Sequence, residues 1–179
     1  MKNLTISRSI ILAMAGLLFS SMLWAQADKS KRPSPPATAT GKVNGATITI
    51  NYSSPSVKGR KIWGELVPYD KVWRAGANEA TIFQTDKDIQ VEGKTLKAGK
   101  YSLYAIPGEK TWTIIFNSQT GQWGIKMDGS TTEDPSKDVL RVSVTPKKAA
   151  AFHESMAYTV DKSGFELVWE NLAVPVKVK

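Results

Sequence analysis

Ala98-Gly99-Lys100-Tyr101-Ser102-Leu103-Tyr104-Ala105-Ile106, closed by Pro107-Gly108 and followed at 112–117 by Trp-Thr-Ile-Ile-Phe-Asn, is the stretch that decides the fold. Large apolar side chains alternate with small or polar ones, the period of a strand whose two faces meet different surroundings. Pro-Gly is a turn pair. Two such runs joined by a short polar connection form a hairpin.

The same alternation continues on both sides. Upstream, Ile48, Ile50 and Tyr52 share one face of a run; 80–85 and 89–91 follow, with Glu92-Gly93-Lys94 placed as a tight turn. Downstream, 139–144 is β-branched and stops at Pro146. Phe152, Glu154, Met156, Tyr158 and Val160 occupy one parity of the next run, and Phe165, Leu167 and Trp169 one parity of the run after Ser163-Gly164. The stretch 172–178 contains Pro175 and is expected at a sheet edge, where a missing N–H is tolerated. Only 146–152, with three alanines, invites a short helix. The pattern predicts an all-β fold, an antiparallel, jelly-roll-like β-sandwich of about 8–10 strands with one long ordered loop; a closed β-barrel is the alternative.

The beginning of the chain has a different character. Lys2 and Arg8 precede an apolar stretch at 10–19, and Ala25-Gln26-Ala27 precedes Asp28. A basic start, a short apolar centre and an A-x-A end make 1–27 a cleavable signal peptide, so the product is expected to be exported, periplasmic or secreted. The run 10–24 is interrupted by Ser20 and Ser21 and is shorter than the roughly 20 apolar residues of a spanning helix, so no transmembrane segment is expected after cleavage. Residues 28–41 are rich in Lys, Ser, Pro, Ala and Thr without a large apolar side chain, and are expected as a disordered linker. Residues 42–179 then form a single β-sandwich domain.

The chain has no cysteine, which removes disulfides, thiolate chemistry, cysteine metal ligands and a thioether-linked lipid anchor together. Its net charge is +8, from 24 Lys and Arg against 16 Asp and Glu. The lysines are scattered rather than blocked, the distribution of a solvated surface; no nucleic-acid partner is expected.

One segment breaks the strand rhythm: 53–79, between the first alternating run and the second. Connections of this length in compact domains are usually binding loops, lids or disordered, and Trp63, Tyr69 and Trp73 argue against leaving it in water. Trp73-Arg74-Ala75-Gly76-Ala77-Asn78-Glu79 puts a planar cation, a carboxamide and a carboxylate within six positions of an aromatic. Arg74 can clamp a carboxylate through its fork of donors. Asn78 and Glu79 supply donors and acceptors for sugar or amide groups, and Trp63, Tyr69 and Trp73 can stack on a ligand's apolar surface. The same residues also allow a packing role, with the tryptophans plugging one end of the sandwich and Arg74 paired with Glu79.

The run 54–64, Ser-Pro-Ser-Val-Lys-Gly-Arg-Lys-Ile-Trp-Gly, with Leu66-Val67-Pro68-Tyr69 and Val72-Trp73-Arg74-Ala75-Gly76-Ala77-Asn78-Glu79-Ala80-Thr81, resembles the family called domain of unknown function 2911. So do Leu96-Lys97-Ala98-Gly99-Lys100-Tyr101-Ser102-Leu103, Ile106-Pro107-Gly108 and 112–117. The resemblance covers the chain from about Gly41 onward. It implies an exported bacterial, β-rich domain without an assigned activity, and no catalytic residues carry over from it.

Other chemistry finds little footing. With His153 as the lone histidine, no metal site or cofactor is expected. Asp128, Glu133, Asp134 and Asp138 lack calcium-loop spacing and read as a solvated loop. His153 has no nucleophile elbow to serve and reads as a surface or edge-strand residue. These observations predict a non-catalytic module that binds a polar, carbohydrate-like or peptidic ligand or envelope component through the 53–79 loop. A glycan hydrolase using Glu79 with Glu65 or Asp70, and a structural or partner-docking module, are the alternatives.

Overall fold

The computed structural model describes residues 28–179; the expected signal at 1–27 lies outside the described residues. The chain divides after Arg32 into two units. Of the first, a single 3-10 turn, Lys29–Lys31, is described, its N-cap Asp28 accepting from the Ser30 N–H.

The second unit is almost entirely antiparallel β-structure. Its strands are β1 (Pro36–Val43), β2 (Ala46–Ser53), β3 (Thr81–Thr85), β4 (Ile89–Val91), β5 (Lys94–Leu96), β6 (Gly99–Ile106), β7 (Trp112–Asn117), β8 (Asp138–Val144), β9 (Lys147–Asp161) and β10 (Gly164–Lys177). Six form one sheet in the order β1-β2-β3-β6-β7-β8, while β9 with β10 and β4 with β5 are two-stranded. The six-stranded sheet ends at β1 and β8 and does not close, so the architecture is a sandwich and the barrel alternative is set aside.

The core lies between this sheet and the β9–β10 ribbon. Ile48 and Ile50 of β2, Phe83 of β3, Leu103 of β6, Trp112 and Phe116 of β7 and Val142 of β8 are buried with Met156, Tyr158, Phe165, Leu167, Trp169 and Val176 of the ribbon. Phe83 meets Phe165 with centroids 5.4 Å apart, and Tyr52 meets Tyr158 edge-on at 4.9 Å. Each such side chain taken fully from water contributes roughly 1.5–3 kcal/mol, so a cysteine-free domain of this size holds together by burial. The turns follow local chemistry. Asn44-Gly45 joins β1 to β2 and Glu92-Gly93 joins β4 to β5, with both residues of each pair at positive φ, as a two-residue hairpin turn requires.

Three expectations need correction. Of the predicted linker, Pro36 to Gly41 belong to β1, paired from Pro36 opposite Ser53 to Gly41 opposite Ile48. An edge strand is held by backbone bonds and needs no large apolar residue: Thr38 donates to Asn51 Oδ1 at 2.8 Å, and a Cβ on Gly41 would lie 2.6 Å from the Val160 carbonyl oxygen of β9. The expected helix at 146–152 is instead the start of β9, where pairing of Lys147 and Lys148 with Ala173 and Leu172 overrides alanine's helical preference. The 172–178 stretch is not a separate strand but continues β10. Pro175 lies beyond its last pairing with β9, at Ala173, so no ladder bond to β9 is lost, and β10's end turns to β4, where Gln90 and Lys179 exchange backbone bonds of 2.7 and 2.9 Å.

Candidate functional site

The 54–80 connection is ordered because its backbone is tied to the sandwich along its length. Val57 N–H donates to the Glu154 carbonyl at 2.7 Å and Met156 N–H to the Pro55 carbonyl at 2.9 Å, fixing its start to β9. Asp70 N–H donates to Pro107 at 2.8 Å, and Trp73 and Ala105 exchange bonds of 2.7 and 2.9 Å, fixing its return to β6. Four of its non-glycine residues have positive φ: Lys58, Asp70, Ala75 and Asn78. Asp and Asn adopt this region readily; an alanine there is held by its surroundings. The Ala75 carbonyl accepts from the buried hydroxyls of Thr81 and Tyr158, each at 2.9 Å.

The sequence-predicted residues separate into two groups. Trp73, only 8% exposed, and Trp63 pack inward. Trp63 meets Trp112 at 5.0 Å, Trp169 at 5.7 Å and Trp73 at 5.9 Å, all edge-on, while Trp73 stacks on Trp169 at 6.1 Å. Their rings are turned to one another, the packing role weighed for them above. Tyr69 is half-buried with its ring against Gly64, whose φ of 85° and lack of a side chain admit it.

Arg74, Asn78 and Glu79 instead belong to the opposite face of the six-stranded sheet. Because Trp73 and Ala105 pair with their side chains in the core, Arg74 comes opposite Tyr104, both directed away from it. There the 118–132 connection meets the sheet: Ala80 N–H donates to the Gln122 carbonyl at 3.2 Å, Gly124 N–H to the Asn78 carbonyl at 2.9 Å, and Glu79 bridges Trp123. The Arg74 side chain runs against Gly124, where any Cβ would collide with Arg74 Cδ and lie 2.8 Å from the Asn78 carbonyl oxygen. The Asn78 amide donates to the Ser34 carbonyl at 3.0 Å, holding the approach to β1.

Arg74 has no ion-pair partner among the described residues, and its Nε is buried without an acceptor. Burial pushes its guanidinium down from its ordinary value, with no carboxylate among the described residues offsetting the effect. A guanidinium stays protonated nonetheless, so this is a partly buried positive charge. Of the carboxylates considered for hydrolysis, Glu65 pairs with Lys61 at 3.1 Å and Asp70 Oδ1 lies beside Gly108, while the backbone of Glu79 bridges that of Trp123.

Sequence reasoning missed the other half of this face. Gln122 Nε2 donates to Tyr104 OH at 2.8 Å, Ser102 Oγ at 3.1 Å and the Gln119 carbonyl at 3.2 Å, while its Oε1 is buried without a donor. An unsatisfied buried polar atom costs about 1–3 kcal/mol. Trp123, 47% exposed, stands at the rim. The signal available was a tryptophan among Gln-Thr-Gly-Gln-Trp-Gly at 119–124, which period-two reading passes over.

The acidic cluster is also not the solvated loop expected. Glu133 and Asp138 side chains are 5% and 9% exposed and both pair with Arg141, at 3.0 and 2.6 Å. Their carboxyl groups also share a hydrogen bond, and burial with the Asp138 charge raises the Glu133 pKa, Arg141 opposing. The Asn117 amide donates to Asp138 and to the Asp134 carbonyl, both at 2.8 Å, so this cluster anchors the far end of the same connection.

Two surface hollows are lined by other elements, about 340 Å³ by Thr111, Ser143, Pro175 and Lys177 among others, and about 400 Å³ by Lys148, His153, Glu166 and Val168 among others. Among the described residues no cluster of three metal-ligating side chains occurs, and no helix is long and apolar enough to cross a membrane.

The fold and this face define an open antiparallel β-sandwich with an ordered crossing segment in which Arg74 has no counter-charge among the described residues. Residues 34–178 match the family described as Protein of unknown function (DUF2911), and the chain belongs to it. No curated protein and no solved structure matches.

Proposed function

We propose that this protein is an exported, non-catalytic binding module in which Arg74, presented by the 53–79 segment, takes an anionic group of a polar ligand of glycan or peptide origin. The observation that carries the proposal is the half-buried guanidinium without an acidic partner among the described residues. Its support includes the fixed geometry of the presenting backbone, since the left-handed Ala75 next to Arg74 is clamped by two buried hydroxyls. Trp63 and Trp73 serve this site by rigidity rather than by contact, their rings packed on each other and on Trp169.

The test is retention on an array of acidic and neutral glycans and peptides by the wild type and by Arg74→Gln, with thermal melts of both. Wild-type retention of acidic members, lost in Arg74→Gln at unchanged fold, is expected. Equal retention by the variant overturns the proposal.

A further inference from the structure

We infer that the outer face of the β9–β10 ribbon carries a second ligand site, a hollow that takes a small aliphatic carboxylate with its chain on Ala149, Val168 and Ala173 and its acid group at Lys148 and His153. The site shares no residue with the Arg74 face and is independent of the reading given to it.

The hollow exists because the two strands part. Between the pairs Leu172–Lys148 and Val168–Ala157, β9 advances nine residues while β10 advances four, so β9 carries surplus chain that bows away from its partner. The bow is held from the other side. Val57 N–H donates to the Glu154 carbonyl at 2.7 Å, Met156 N–H to the Pro55 carbonyl at 2.9 Å, and Lys58 N–H to the Glu154 carboxylate at 2.9 Å. With β9 drawn to the 55–58 segment the strands stay apart, and the hollow of about 400 Å³ between them is of the size that small molecules occupy.

Its floor is apolar although it lies on the outside of a two-layer fold. Leu167 and Trp169 face the core, so Val168 between them faces out, yet it is only 8% exposed and packs with Ala149 and Ala173. Charge around that floor is uneven. Among the described residues the only carboxylate lining the hollow is Glu166, already paired with Lys147 at 3.0 Å; Glu170, opposite His153 in the ladder, does not line it. Lys148 and His153 do, and neither side chain has a hydrogen-bond or ion-pair partner among the described residues. A lysine's flexible stem carries its ammonium over a surface that its backbone borders, and an imidazole offers an N–H donor. Such a floor, with its one acid satisfied and cationic donors left over, is complementary to a short hydrocarbon body bearing a single negative charge.

A series graded in chain length and charge tests this. The isotope-labelled protein is titrated with acetate, butyrate and hexanoate, and with hexanol and hexylamine as the neutral and cationic mates of hexanoate. Saturable shifts are expected at the Ala149, Ala150, Val168 and Ala173 amides, with affinity rising about two- to fourfold for each added methylene. Hexanoate should bind roughly tenfold tighter than either mate. Lys148→Gln combined with His153→Gln should bring hexanoate down to the level of hexanol. Ala150→Trp, at an exposed position lining the hollow, should block the whole series at unchanged melting temperature, and Arg74→Gln should bind as the wild type does. Affinity that is flat along the series, or hexanol or hexylamine binding as tightly as hexanoate, overturns the inference. A carboxylate that shifts Arg74 and Gly124 instead, with binding lost in Arg74→Gln, removes this site and supports the first. No saturable shift at the four amides also overturns it and leaves the Arg74 reading untouched.

Discussion

The phenol of Tyr158 on β9 donates to the carbonyl of Ala75 at 2.9 Å, tying the ribbon layer to the residue that follows Arg74. The Thr81 hydroxyl reaches the same oxygen, so two side chains from opposite layers hold one left-handed alanine. Burial raises the Tyr158 pKa well above its ordinary value, so the group is a neutral donor throughout the physiological range.

Removing that donor leaves Ala75 one partner. Tyr158→Phe should destabilise the domain by about 1 kcal/mol, and the double variant with Thr81→Val by more than the sum of the two, because the carbonyl is then buried without a partner. Urea denaturation of the four proteins measures this; strict additivity would show that the two hydroxyls do not share a task.

Gly124 is required for space rather than for backbone freedom. Gly124→Ala should displace the Arg74 side chain, cost about 1–3 kcal/mol and abolish Arg74-dependent retention. An alanine variant with wild-type melting and retention would mean that the two segments are not in the packed arrangement described.

The Glu133–Asp138 pair predicts a pH dependence. The Glu133 pKa is raised, so between its ordinary value of 4.5 and its higher folded value the folded state binds more protons than the unfolded one. Stability associated with this residue is therefore present below about 4.5 and is lost as pH rises through the folded value. Glu133→Gln, which keeps a donor for Asp138 and an acceptor for Arg141, should remove that decline, so the variant gains on the wild type as pH rises from 4 to 7. Parallel melting-temperature profiles across that range would refute it.

The sandwich was legible where burial imposes a period of two. The runs containing Ile48 and Ile50, Tyr101 and Leu103, and Phe165 and Leu167 each have one face in the core, and pattern alone places them. Legibility failed where tertiary pairing or a local turn decides. β1 has few apolar residues, and its marker was the Asn44-Gly45 turn rather than its composition. β9 begins among alanines that only pairing with β10 makes a strand. At the site, Arg74 was visible as a cation in a dense segment, but the partnering of Glu133 with Asp138 and the approach of Gln122 to Tyr104 join residues from different connections, which spacing cannot reveal.

The first strand lies against the ninth, with Gly41 fitted beneath Val160, and the two are far apart along the chain. The β1–β2 hairpin can form as soon as its residues emerge, but the second layer that covers it is made last. Chains dominated by such distant contacts fold in milliseconds to seconds rather than microseconds. Late closure of this kind makes the packing of β1 wait until β9 has been synthesised.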